Sequence, residues 1–346
     1  MKKLALLICL VLCISLIALS CATTTQTTTV KPIEIIIASP NPAPEIYTGS
    51  AAQLEWSNGV EKATGGRVKF IYYYSSTLLA PPEMLKGTQD GVADIGLWVP
   101  GVVPGLTPLS EFGRLPFLGW TSLPQMQSVY GKIFNSPTFS NEYKGVKVLG
   151  GHPMGAYQIH TNNKLLRTPA DLKGVKLAAE GPLLNFFGAA GGTPVDVSFM
   201  DWYVSIERRV VDGLVNSYST ILVTKVSDLT KCHTVMGDYF CNAPMVYVMN
   251  QAKWDSLPPD IQKILENSMP AFLDGQVKAI YGNCAAAEKL MKDRGDQFAD
   301  LSAEEMKLWQ AYAAPVVEGW LKEYEAKGYP ARAALDEVKK LMEQYK

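Results

Sequence analysis

The order of apolar runs along this chain is its tightest constraint. Short β-branched stretches at 33–38 and 68–74 read as strands. Between them, 49–63 has helical periodicity with Leu54, Trp56 and Val60. Residues 82–90 open with proline and read as a short helix, followed by a strand at 93–98 and a Pro/Gly-rich loop at 99–105. Further strands are expected at 145–149, 157–161, 175–179 and 213–216, with helices near 183–190 and 201–211. Thr168 precedes Pro169 as an N-cap precedes a first-turn proline. From Pro258 onward the pattern is nearly all helical, at 260–294, 302–327 and 331–345. Alternation of this kind requires sheets covered by helices, so the fold class is α/β, and the helical end must clamp onto that body. No solenoid-type repeat interrupts it.

Composition narrows function. A chain of 346 residues has room for two domains, and 47% hydrophobic against 19% charged residues excludes disorder as a description of the whole. With 32 Lys plus Arg against 33 Asp plus Glu, there is no basic stripe for phosphates, so no nucleic-acid partner is expected. The three histidines, His152, His160 and His233, are scattered in sequence. No metal centre and no cofactor is expected. His152-Pro153 sits at a strand end and reads as a surface or hinge histidine. Nucleophile elbows, zinc-binding helices, phosphate loops and dinucleotide fingerprints are all missing, which argues against an enzyme.

The N-terminus reads as an export signal: Met1-Lys2-Lys3, an apolar run, then Ala18-Leu19-Ser20-Cys21. The last four residues resemble a bacterial lipobox, with Ala18 in place of the more usual Leu. Residues 1–20 are therefore expected to be a lipoprotein signal peptide, with Cys21 lipidated and tying the chain to a membrane. An ordinary secretory signal or an uncleaved anchor is the alternative. The Thr-rich stretch within 21–32 reads as a tether. Loss of Lys2 and Lys3 leaves 30 basic against 33 acidic residues, suited to a periplasmic or otherwise extracytoplasmic protein. Export permits a disulfide between Cys232 and Cys241 across a short hairpin; three reduced, buried cysteines, Cys284 included, are the other reading.

The run Thr168-Pro169-Ala170-Asp171-Leu172-Lys173-Gly174-Val175-Lys176 resembles the T-P-x-D-L-K-G-x-K signature of DctP-type solute-binding proteins of TRAP transporters. Collinear matches accompany it: Tyr74-Ser75-Ser76, Glu83 to Lys86, Gly91-Val92-Ala93-Asp94, Leu115 to Leu118, Val211-Asp212-Gly213 with Asn216, and Trp254 to Pro258. The resemblance implies a bilobal, periplasmic-binding-protein-like fold with hinge strands and a long helix spanning both lobes. The expected division is 33–153 plus 242–280 for the first lobe and 154–241 plus 281–346 for the second. It also implies a receptor that closes on a small organic solute and docks on TRAP-type membrane permease subunits. Delivery to a membrane sensor, or an exported enzyme, are the alternatives.

The departures from the family shape the expected site. Where the family carries an arginine that grips the ligand carboxylate, this chain has Ala178, and a second arginine used by some members falls at Tyr157. Either another cation substitutes, with Arg114, Lys225, Arg208 and Arg209 as candidates, or a carboxylate is not the principal handle. The expected ligand-binding residues are Tyr74, Trp98, Tyr157, Glu180, Phe199, Trp202, Asn216 and Tyr218. Such an aromatic set suits an aromatic or amphipathic carboxylic acid better than a C4-dicarboxylate.

Overall fold

The computed structural model describes residues 31–346. The signal peptide at 1–20, Cys21 and nearly all of the tether lie outside the described residues. Eleven strands are described in two sheets: β1 (Ile33–Ala38), β2 (Val68–Tyr73), β3 (Ile95–Trp98), β4 (Val146–Pro153), β5 (Gln158–Thr161), β6 (Lys176–Ala178), β7 (Thr193–Val195), β8 (Gly213–Asn216), β9 (Cys232–Val235), β10 (Pro244–Asn250) and β11 (Gln297–Asp300). The first sheet runs β2-β1-β3-β10-β4 and the second β11-β9-β5-β8-β6-β7. Each builds one lobe of a bilobal α/β protein.

In the first lobe β1 lies parallel to both β2 and β3, and both of its faces are covered by helices. Ile35 and Ile37 point into a core with Trp56, Val60 and Phe272, while Ala38, one step of the pleat away, joins Met84, Phe112 and Tyr130 on the other side. Full burial of an isoleucine, methionine or phenylalanine side chain there contributes about 1.5–3 kcal/mol.

The family-like motifs turn out to be backbone staples. Asp94 accepts from the Ile36 amide at 2.8 Å, and Asp212 accepts from the Lys176 amide at 2.8 Å. Asp171 accepts from the Thr168 amide at 2.8 Å and closes the short turn Pro169–Leu172. Gly213 lets β8 approach β5, since a Cβ there would lie 2.1 Å from the His160 carbonyl oxygen.

Ahead of the C-terminal helices, which cross back once more through Ala313–Ala326, three connections join the lobes. The segments between β4 and β5 and between β9 and β10 run side by side, with Met154 N donating to Ala243 O at 3.0 Å and Tyr157 N to Cys241 O at 3.2 Å. Asn242 Oδ1 accepts from the Met154 and Gly155 amides at 2.8 and 3.2 Å. The third connection is the 35-residue helix Pro259–Asp293, whose Leu265 and Phe272 pack in the first lobe and whose Ala287 and Met291 pack in the second. At 1.5 Å per residue it is roughly 50 Å long, enough to back both lobes.

Several local expectations need correction. Residues 232–241 do not form a hairpin: β9 pairs with β5 and β11 in the second sheet, and the chain then crosses to the first. Cys232, Cys241 and Cys284 are all free, the first two buried. The helix expected at 302–327 is two, Ala303–Gln310 and Ala313–Ala326. Pro315 has no N–H to offer the Ala311 carbonyl, so it is accommodated in the first turn of a new helix. The C-terminal helices also divide between lobes: Trp309 and Val316 pack in the second, whereas Trp320, Leu335 and Val338 share the first lobe's core with Trp98. The final helix therefore clamps the first lobe.

Candidate functional site

A cavity of about 100 Å³ lies between the lobes. The first lobe lines it with Pro40, Tyr47, Val99, Val102, Arg114 and Met245. The second contributes Glu180, Phe199, Trp202, Asn216, Thr220 and Val223, while Met154 and Tyr157 come from the crossing. The lining is mostly apolar and aromatic, with one cation and one carboxylate at one end.

Five of the eight expected ligand-binding residues meet here: Tyr157, Glu180, Phe199, Trp202 and Asn216. Phe199 and Trp202 sit edge to face, with centroids 5.1 Å apart. Trp202 also anchors its own helix, donating from Nε1 to the Val197 carbonyl at 3.0 Å. Asn216 uses Oδ1 to accept from the Ser217 amide at 2.8 Å, and its Nδ2 makes no hydrogen bond among the described residues.

The other three expected residues are placed elsewhere. Trp98 is wholly buried in the first lobe, donating to Thr107 Oγ1 at 3.0 Å; the pleat presents its neighbour Val99 to the cavity instead. Tyr218 turns into the second-lobe core against His160 and Phe298, leaving Ser219 and Thr220 to line the cavity. Tyr74 stacks on Tyr72, with centroids 5.2 Å apart, and is not among the lining residues.

Of the four candidate cations, Arg114 alone lines the cavity; Arg208, Arg209 and Lys225 are exposed. Arg114 ends the first-lobe 3-10 helix Leu109–Arg114 and is 1% exposed. Its Nη1 donates to the Pro100 carbonyl, its Nη2 donates to Glu180 Oε2 at 3.1 Å, and its Nε has no partner among the described residues. Gly101, with φ +88, leaves room for the guanidinium: a Cβ there would lie 2.1 Å from Nη1. Burial opposes the charge of Arg114, yet Tyr157, Glu180 and Glu111 around it hold its pKa above the ordinary value. Burial pushes Glu111 up to about 7 and raises Glu180 too, against the pull of Arg114 in both cases. Tyr47, which also lines the cavity, had no signal in the sequence.

The histidines are less scattered than their sequence positions imply. The register of β5 and β9 sets His160 opposite His233, with Nδ1 atoms 2.8 Å apart. His160 Nε2 lies 3.0 Å from the Asn216 carbonyl and His233 Nε2 lies 3.1 Å from Asp296 Oδ2. His152 is wholly buried on β4 rather than at a surface, and burial lowers its pKa to about 4. Among the described residues, no group of three or more His, Cys, Asp or Glu is placed to hold a metal ion.

The same architecture occurs in solved proteins. A TRAP solute-binding protein from Rhodoferax ferrireducens, in complex with benzoate, superimposes with a TM-score of 0.82 at 24% identity, covering 90% of this chain and 98% of that one. A marine metagenome TRAP solute-binding protein specific for aromatic acid ligands, bound to meta-hydroxyphenylacetate, gives a TM-score of 0.82 at 26% identity, covering 90% and 99%. The 2,3-diketo-L-gulonate-binding periplasmic protein YiaO of Escherichia coli is 26% identical over 219 residues, 63% of this chain and 66% of its own length. The family model for bacterial extracellular solute-binding protein, family 7, matches residues 39–324. A match of that extent, on a bilobal fold with a cavity between its lobes, places the chain in the DctP family of bacterial extracellular solute-binding proteins.

Proposed function

We propose that the protein is an extracytoplasmic receptor for a TRAP-type transporter, and that its solute is a small carboxylic acid with an aromatic or amphipathic body. One observation carries this reading: a single buried guanidinium lies at the end of a cavity walled by Tyr157, Phe199 and Trp202. A carboxylate on Arg114 makes charge-assisted hydrogen bonds, and the ring behind it packs against the aromatic wall. Arg114 and the Phe199–Trp202 pair belong to different lobes, so a ligand gains its full contacts only when the lobes close and thereby draws the population toward closure. The aromatic-acid specificity of the marine metagenome relative supports the same chemistry here.

The closed form would dock on the membrane permease subunits, with a lipid on Cys21 keeping the receptor near them. Among the described residues, no helix is long and apolar enough to cross a membrane. The ligand is handed on unchanged, a role consistent with the receptor family; conversion of any bound acid by the purified protein would overturn it.

Mass spectrometry of acid retained through purification, followed by a thermal-shift panel, tests the ligand class. Benzoate, 3-hydroxybenzoate and mandelate are expected to raise the melting temperature, since a ligand at a hundred times its Kd stabilises by about 2.7 kcal/mol. Greater stabilisation by succinate or malate would refute the aromatic reading. Loss of detergent partitioning in Cys21→Ser tests the anchor.

A further inference from the structure

Arg114 and Glu180 come from opposite lobes. The arginine ends the helix Leu109–Arg114, and the glutamate follows β6, two residues beyond Ala178. Their contact, Nη2 to Oε2 at 3.1 Å, is therefore a carboxylate on the cavity's guanidinium supplied by the protein itself. It uses one donor of a fork that can hold two carboxylate oxygens, while the buried Nε stays unpartnered among the described residues. A second carboxylate, Glu111, lies close by on the first lobe and is 2% exposed. A third, Asp196, acts on Glu180 from the end of β7.

We propose that Glu180 is a specificity-determining residue: its carboxylate occupies Arg114 as an internal competitor, so an acid binds only by replacing it, and no second ligand carboxylate is tolerated nearby. The inference rests on the acid-receptor reading above. The cavity's size agrees with it, because about 100 Å³ falls short of the roughly 150 Å³ that holds a benzene ring, and withdrawal of Glu180 enlarges it. Charge balance agrees as well. With Glu180 on Arg114 the pair is neutral; a ligand anion on Arg114 strands Glu180 near Glu111, Asp196 and the Tyr157 hydroxyl, so Glu180 takes a proton from solvent. A dicarboxylate would add a further negative charge to that corner. Burial already raises the pKa of Glu180, which favours the proton uptake.

Titration calorimetry on the full chain, with 3-hydroxybenzoate, its neutral amide and benzene-1,2-dicarboxylate, tests this. In Glu180→Gln the acid is expected to bind roughly tenfold to a hundredfold more tightly, the range of one charged hydrogen bond, with the amide changed less than about twofold. The dicarboxylate gains at least as much as the acid. Two buffers of different ionisation enthalpy should reveal uptake of about one proton per acid bound in the unmodified protein and almost none in Glu180→Gln. Glu180→Asp, which keeps the charge on a shorter arm, gives an intermediate affinity and serves if the glutamine variant does not fold. If the unmodified protein binds the acid and Glu180→Gln binds it equally or less well, the competitor role is wrong and the acid receptor stands. If neither binds any of these acids, the acid-receptor reading fails and this inference with it.

Discussion

The two walls of the cavity divide the work unequally. The first lobe contributes the cation, Arg114, set among Val99, Val102, Met245 and the ring of Tyr47; the second contributes Phe199, Trp202, Asn216 and the opposing carboxylate Glu180. The family resemblance leads one to expect the cation on β6, in the second lobe, where Ala178 stands instead. Arg114 brings it from across the cleft. With both handles on one lobe, a ligand could bind tightly to the open form. With the guanidinium on one lobe and Phe199 and Trp202 on the other, affinity depends on closure, and the Arg114–Glu180 pair is itself a contact between the two lobes.

The largest expected effect comes from breaking that division at its charged end. Arg114→Ala leaves the buried Glu111 and the part-buried Glu180 without their counter-ion. Folding stability should fall by about 3–5 kcal/mol, the usual consequence of removing one partner of a buried pair. Denaturant unfolding measures this, and acid binding should be lost at least a hundredfold. A variant with unaltered affinity for aromatic acids would remove Arg114 from the site.

Acid should then separate the lobes. Burial raises Glu111 and Glu142 of the first lobe to about 7, above their ordinary 4.5, so the folded state takes up protons as pH falls from 7 to 4.5 and gains stability over that window. At roughly 1.36 kcal/mol per unit, Glu111 alone gives about 3 kcal/mol. In the second lobe, burial lowers the pKa of His160 and His233, so the stability they lend above 6.5 is lost as pH falls below it. His152, lowered to about 4, is the first lobe's exception, and Glu180, raised by burial, is the second's. Amide exchange at pH 7 and pH 5 should show β8 and β9 losing protection relative to β4 and β10. The reverse order would break the comparison.

A smaller effect comes from the aromatic wall. Phe199 is half-buried, and Phe199→Ala should weaken an aromatic acid and its amide alike, by roughly threefold to tenfold, the range of one aromatic contact. Loss confined to the acid would mean that Phe199 acts through the charged end instead.

Why these residues were unevenly visible in the chain follows from what each depends on. Strand β1 and the long helix are set by local pattern, and their predicted limits fall within a residue of those in the structure. Asp94, Asp171 and Asp212 sit in motifs because each must reach one particular amide. Arg114 lies in no motif. Its place in the cavity depends on the packing of its helix and on the backbone of Pro100 and Gly101, which no local pattern encodes. The pairing of His160 with His233 depends on strand register across 73 positions. Trp98 and Tyr218 were misplaced by a single step, since adjacent residues on a strand or helix face different ways.

Those two aromatics supply the smallest and most discriminating comparison between the lobes. Neither lines the cavity, so Trp98→Phe and Tyr218→Phe should each change acid affinity less than about twofold, within the ordinary scatter of distant substitutions. Their effects on stability should nevertheless have opposite signs. Trp98 Nε1 donates to Thr107, so the phenylalanine loses a satisfied buried bond and some packing, for a loss of about 1 kcal/mol or more. The Tyr218 hydroxyl is buried with no partner among the described residues, and removing it relieves a desolvated group. That variant should be unchanged or more stable by up to about 1 kcal/mol. Thermal unfolding of the pair reads both signs at once. A Tyr218→Phe protein that melted lower than its parent would mean that the hydroxyl is satisfied, by a water or by the ligand, and would bring Tyr218 back toward the site.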